Sequence, residues 1–200
     1  MEVSYDHLPD DQLAAVVTFL EMRCRPEIEI PASTLSLRVI SVPTVEQYRD
    51  LFCLIGARWL WFSRLIMEDS ELESIIRDRN VEVFEAIDSD GRTVGMLELD
   101  FREAGACELA FVGLIPELSG RGHGRWLLAE AVSRAWRHGV ACVHVHTCSL
   151  DHPAALAAYR RAGFTPYKRA VERFPDPRLL GALPCDCAPQ IPLLGTCTSA

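Results

Sequence analysis

Apolar positions along the chain change period several times, and each change predicts an element. Between residues 10 and 23, Leu13, Val16, Val17 and Leu20 fall at helical spacing behind Asp10 or Asp11 as a cap, which predicts a first helix. Pro26 and Pro31 break the chain, and Leu35 to Ser41 alternates weakly, as an opening strand would. Pro43-Thr44 introduces a helix carrying Val45, Tyr48, Leu51 and Phe52. Further helices are expected over Trp59 to Met67 and Glu71 to Arg77.

From Val81 the period shortens to two. Val81 to Ala86, Thr93 to Phe101 and Ala106 to Leu114 read as consecutive strands. A hairpin turn at Asp88-Ser-Asp-Gly91 joins the first two. A helix with a wide apolar face (Leu127, Leu128, Ala131, Val132, Ala135, Trp136) starts near Gly122 and stops at Gly139. The valine-rich run Val140 to Thr147 is a buried strand, Pro153 opens a helix ending near Gly163, and Phe164 to Phe174 is a last strand. This order predicts an α/β fold with a mixed, mostly antiparallel sheet flanked by helices. It divides as a helical extension over 1–34, a main domain over 35–178, and a proline- and cysteine-rich tail over 179–200 with little order.

Composition narrows the function classes. The 200 residues are 49% apolar, enough for one well-filled core. The net charge of −8 disfavours nucleic acid and anionic membrane as partners, since both need a basic face. No apolar run is long enough to span a bilayer, and the N-terminus lacks the basic and apolar regions of a secretory signal, so a cytoplasmic location is expected. There, the eight cysteines are expected to be free thiols. Cys185-x-Cys187 with Cys197 is a poor zinc pattern, and the pair His144 and His146 lacks a third ligand, so no metal is expected.

The strongest chemical signal is Val112-Gly-Leu-Ile-Pro-Glu-Leu-Ser-Gly-Arg-Gly-His-Gly-Arg125. A strand runs into a turn with glycines at 120, 122 and 124, then into a helix. Such a turn lets backbone N–H groups approach a ligand at the positive end of a helix, which suits a pyrophosphate. Arg121, His123 and Arg125 add local positive charge. It is not a dinucleotide fingerprint, because Arg125 and Leu127 stand where a third glycine or alanine is needed, and no Gly-Lys-Ser/Thr is present. A second block follows, His152-Pro-Ala-Ala-Leu-Ala-Ala-Tyr159-Arg-Arg-Ala-Gly163-Phe164.

Together these blocks resemble the GNAT N-acetyltransferase superfamily over roughly residues 35 to 175. Ser119-Gly-Arg-Gly122-His-Gly124 matches its Arg/Gln-x-x-Gly-x-Gly/Ala loop, and Ala155, Tyr159, Gly163 and Phe164 match its Asn-x-x-Ala-x-x-x-Tyr and Gly-Phe block. Ser119 replaces the usual Arg or Gln, and His152 the frequent Asn. The resemblance implies acyl transfer from acetyl-CoA to an amine by direct attack. Tyr159 would protonate the leaving thiolate. Glu108 matches the place of the general base in some members, and as a carboxylate among apolar neighbours it should have a raised pKa. Alternation sets Glu108, Ala110 and Val112 on one strand face.

The family's fourth strand splays from the fifth and pairs with the pantetheine arm. That role would fall on Val112, Gly113 and Leu114, with the Val112 N–H as oxyanion donor. Residues Ser119 to Arg125 would hold the pyrophosphate, and His152 would contact the same ligand. Glu98 and Asp100 are rivals for the base or for substrate charge, and Trp59 and Trp61 either shape an acceptor pocket or fill core. If the three acids share a face, the acceptor is a small cationic or amphipathic amine. The expected partner is therefore a small-molecule amine; the alternatives are a protein lysine or N-terminus, or a silent acyl-CoA sensor. Many relatives are dimers, so a homodimer is compatible.

Overall fold

The computed structural model describes residues 3–197. The strands are β1 (Gln12–Met22), β2 (Ser36–Val39), β3 (Val81–Ile87), β4 (Thr93–Asp100), β5 (Ala106–Leu114), β6 (Cys142–Cys148) and β7 (Thr165–Pro175). The helices are α1 (Val45–Gly56), α2 (Asp69–Ile76), α3 (His123–Ala135) and α4 (Ala155–Arg161). All seven strands form one sheet in the order β2-β3-β4-β5-β6-β1-β7. Neighbours are antiparallel except β5 and β6, which run parallel.

Local chemistry explains most boundaries. Thr44 and Gln47 form a reciprocal capping box at the start of α1, which then buries Tyr48, Leu51, Phe52 and Ile55. In the β3–β4 turn, Asp88 Oδ1 accepts from the N–H groups of Asp90 and Arg92, and Gly91 takes φ 80°. Residues of α1 and α2 pack with Val81, Val83 and Met96 on one sheet face. Those of α3 pack with Leu97, Leu99, Leu109, Val143 and Val145 on the other, joined by Ala158 and Tyr159 of α4.

Two expected helices are absent. Residues 12–22 form β1, held between β6 and β7 with ladders on both sides. The apolar spacing there fits either period, and β-branched Val16, Val17 and Thr18 favour a strand. The stripe read as one helix face divides between two sheet faces, with Leu13 and Val17 on one and Val16 and Leu20 on the other. Residues 3–34 are thus no helical extension, because β1 is an interior strand of the main sheet. Over Trp59 to Met67, a single 3-10 turn at Ala57–Trp59 ends where Leu60 adopts φ 55°, a left-handed conformation that stops any helix.

The tail is ordered through residue 197, contrary to expectation. Arg178, with its side chain 2% exposed, meets Asp176 through two nitrogens at 3.0 and 2.7 Å. It also donates to the carbonyls of Ala188, Ile191 and Pro192, so one guanidinium gathers the whole segment. Leu183 and Ala188 then pack on Leu60, flanked by Phe62 and Ile191. Gln190 Nε2 donates to the Arg58 carbonyl at 2.7 Å. Cys185 and Cys197 form a disulfide across this loop, where free thiols were expected, while Cys24, Cys53, Cys107, Cys142, Cys148 and Cys187 remain reduced. Docking of the tail brings the two sulfurs together, a proximity that sequence spacing does not encode.

Replacing Arg178 with Met leaves Asp176 as a buried, unpaired carboxylate. The variant should lose roughly 3–5 kcal/mol in denaturant unfolding and become cleavable by protease after residue 178. An unchanged unfolding midpoint would show that the tail docks without this pair.

Candidate active site

β5 and β6 pair only at Ala106↔Cys142, Cys107↔Val143 and Glu108↔His144. Beyond Glu108 they diverge, and β5 continues to Leu114 paired only to β4. The gap between them opens into a cleft of about 1320 Å³ that passes from one sheet face to the other.

The orientation of the free β5 edge follows from alternation. Ile115 donates its N–H to Val94 at the end of β4. Two residues back, Gly113 faces β4 as well, so the N–H and C=O groups of Val112 and Leu114 face the open gap. Gly113 serves packing instead: a Cβ there would come within 2.5 Å of Ile55 Cγ2 and 3.2 Å of the Trp61 ring.

A bulge interrupts β5. Successive β4 residues Glu98 and Leu99 oppose Phe111 and Leu109, leaving Ala110 extra. The expected single face of Glu108, Ala110 and Val112 is therefore broken. Val112 packs with the α3 core, whereas Phe111 joins the α1 core. Glu108, next to the α3-facing Cys107, shares the α1 face with Phe111.

On the α3 side, Ser119, Gly120, Gly122, Gly124 and Arg125 line the cleft. Gly120 and Gly122 take φ 77° and 86°, and a Cβ on either would meet no atom within 4 Å. The turn is thus an open cradle of backbone N–H groups beneath the start of α3, suited to a diphosphate. Arg121 and His123 stand outside the lining, and His123 Nδ1 is tied to Ser33 Oγ at 3.0 Å. Tyr159 also faces this half, its ring edge-on to Phe164 at 5.9 Å. Burial and the Asp151 carboxylate hold its phenol well above the usual value. His152 lines the mouth, accepts at Nδ1 from the Ala154 N–H, and meets Trp59 edge-on at 5.2 Å.

On the α1 side, Glu108 Oε1 lies 3.3 Å from His146 Nδ1. This hydrogen bond lowers the Glu108 pKa and raises that of His146, so the expected upward shift of a lone glutamate is reversed. Strand parity set His144 and His146 on one face, but only the parallel β5–β6 register brings His146 to Glu108. Glu98 and Asp100 share this face, yet neither is free. Glu98 is fully buried, accepts from the Tyr48 hydroxyl and pairs with Arg64 at 2.7 Å. Asp100 is chelated by Arg102 at 2.6 Å.

Trp61 ties the two halves. It packs against Gly56, where a Cβ would approach its ring within 2.6 Å, and against Phe52 and Phe111 at 5.6 and 5.2 Å. Its Nε1 donates across the gap to Asp151 Oδ1 at 3.2 Å. Asp151, beyond the end of β6, also accepts from Thr147 Oγ1 and the Cys148 N–H, at 2.7 and 2.8 Å. Sequence reading missed Asp151, whose partners are fixed by tertiary structure, although it stands next to the matched His152.

Comparison with known proteins decides the family. The model of the Acetyltransferase (GNAT) family matches residues 49–164, more than half of the chain. The chain belongs to this family. No curated protein sequence matches it. Among solved structures, it resembles a GCN5-related N-acetyltransferase from Sphaerobacter thermophilus with TM-score 0.60 and 22% identity, covering 81% of this chain and 52% of that one. A GCN5-related N-acetyltransferase from Kribbella flavida gives 0.53 and 18%, covering 84% and 60%. The chain thus spans little more than half the length of either. An aminoglycoside acetyltransferase from an uncultured soil metagenomic sample gives 0.54 and 19%, covering 70% and 93%. At these identities the likeness concerns the GNAT fold alone.

Because Glu108 holds the His146 proton, Glu108→Gln should let that imidazole deprotonate at lower pH. Titrating the ring by NMR checks this: His146 in the native protein should stay charged to higher pH than in the variant. Identical titrations would show that the two side chains do not interact in solution.

Proposed function

We propose that the protein moves an acetyl group from acetyl-CoA to the primary amine of a small molecule. The observation that carries this reading is the through-sheet cleft, with an open glycine cradle on one side and an acid–histidine pair on the other. Backbone N–H groups of Gly120, Gly122, His123 and Gly124 would hold the diphosphate, and the free edge of Val112 and Leu114 would pair with the pantetheine arm as an added strand. The Val112 N–H then faces the thioester oxygen and stabilises the negative charge that grows there.

In the transfer, the amine nitrogen forms a bond to the thioester carbon and the C–S bond breaks. The products are an N-acetylated amine and free CoA thiol. The amine's proton must leave, and the thiolate must gain one. Four residue steps along the strand separate Glu108 from Val112, roughly 10–13 Å at the usual rise, so the Glu108–His146 pair takes the proton through water. Tyr159 faces the leaving sulfur. Its raised pKa keeps the phenol protonated, and its hydrogen bond strengthens as charge develops on sulfur.

Two variants probe the two halves of this reading. Gly122→Val inserts a side chain into the cradle at a residue with φ 86°, so acetyl-CoA binding measured by calorimetry should vanish while the fold persists. Retained affinity in a folded variant would remove the diphosphate from this turn. Tyr159→Phe should reduce kcat by ~10²-fold or more with little change in acetyl-CoA affinity. Native turnover in that variant would assign the proton to another donor. The acceptor itself can be sought by mass spectrometry of a metabolite pool incubated with protein and acetyl-CoA.

A further inference from the structure

The α1 side of the cleft, where an acceptor would enter, has a distinctive wall. Trp61, Phe62, Phe111 and Phe174 all line it. Phe62 and Phe174 stack at 4.8 Å, and Trp61 lies 5.2 Å from Phe111. Phe62 and Phe174 come from segments far apart in sequence, and Leu60, beside Phe62, is held in place by the docked tail. The two aromatic pairs make this side apolar, and the docked tail backs Phe62.

The charges within it are unequal. The two arginines of this side are already neutralised, Arg64 by Glu98 at 2.7 Å and Arg102 by Asp100 at 2.6 Å, and His146 is paired with Glu108. The anions are less fully matched. Glu108 shares the His146 proton, and Asp151 is engaged by three donors. Glu172 of β7 lines the cleft with no ion-pair partner among the described residues. It sits opposite Ala15 in the ladder, two positions from Phe174, and adds a small upward push to the pKa values of His146 and Cys148, which Glu108 and burial respectively raise most. A cationic group entering along the aromatic wall therefore meets the exposed Glu172 carboxylate; the arginines that line the cleft without an ion-pair partner among the described residues, Arg125 and Arg161, come from α3 and α4.

We infer that the acceptor is a primary amine carried on an aromatic or bulky apolar body that bears no carboxylate, with Glu172 receiving its ammonium group beside the Phe62–Phe174 stack. The inference rests on the reading of the cleft as the site of acetyl transfer. An aryl ring gains contact with the apolar wall, which a short alkylamine cannot fill. A carboxylate on the same carbon skeleton would instead lie near the like charges of Glu172 and Glu108.

The test is the rate of thiol release from acetyl-CoA with three acceptors: 2-phenylethylamine, propylamine and phenylalanine. The value of kcat/KM for 2-phenylethylamine should exceed that of each of the others by ~10-fold or more. Glu172→Gln should narrow its advantage over phenylalanine, and Phe174→Leu its advantage over propylamine. Equal or better use of phenylalanine or propylamine by the native protein overturns this inference while leaving acetyl transfer intact. Acetyl-CoA binding by calorimetry with no thiol release from any acceptor overturns both.

Discussion

The cleft exists because two parallel strands stop pairing. After Glu108↔His144 the β5–β6 ladder ends, and the backbone groups of β5 beyond that point have no partner on that side. Unpaired polar edges are costly when buried, so the gap must be wide enough to admit water or a ligand, and it must stay so. Trp61 sets the width. Its indole rests on Gly56 and Gly113, positions where any larger residue would collide with Trp61 or Ile55, and its Nε1 reaches the Asp151 carboxylate across the opening. Two glycines, one tryptophan and one aspartate thus act as a strut between the sheet halves.

The strut separates two chemistries. One side of the gap presents backbone dipoles from glycines with positive φ and the phenol of Tyr159. The other presents a paired carboxylate and imidazole within aromatic surroundings. The buried charges of the α1 side are paired. Arg64, Arg102, Glu98 and Asp100 pair with one another or with nearby hydroxyls, so the strong fields near the gap are cancelled locally.

The fold class and the cradle were legible because their signals are local. Three alternating strands, the capped helix at Thr44, and Gly120 to Gly124 before an amphipathic helix all depend on residues within a few positions of one another. What sequence did not disclose depends on long-range pairing. Residues 12–22 carry an apolar pattern with no intrinsic choice between helix and strand, and the vacant ladder positions between β6 and β7 decide it. The β5 bulge at Ala110 moved Val112 to the opposite face from Glu108, a change invisible to parity counting. The Glu108–His146 contact needs the register of a parallel pair formed between strands some thirty-five residues apart. Ordering of the tail rests on Arg178, which besides its neighbour Asp176 holds backbone carbonyls of Ala188, Ile191 and Pro192 that no side-chain pattern announces.

The position of β1 has a consequence during synthesis. Of the seven strands of the sheet it is synthesised first, but it is completed by β6 and β7, the last two, with Val17 opposite Cys148 and Ala170. At 5–20 residues per second, the run Val16-Val17-Thr18-Phe19-Leu20 waits roughly 6–30 s for its neighbours. It is uncharged, β-prone and free of proline over that interval, the composition of a self-associating segment. Of the seven strands, β1 therefore stays longest without its ladder partners, and shielding of that strand until β6 and β7 emerge favours correct folding.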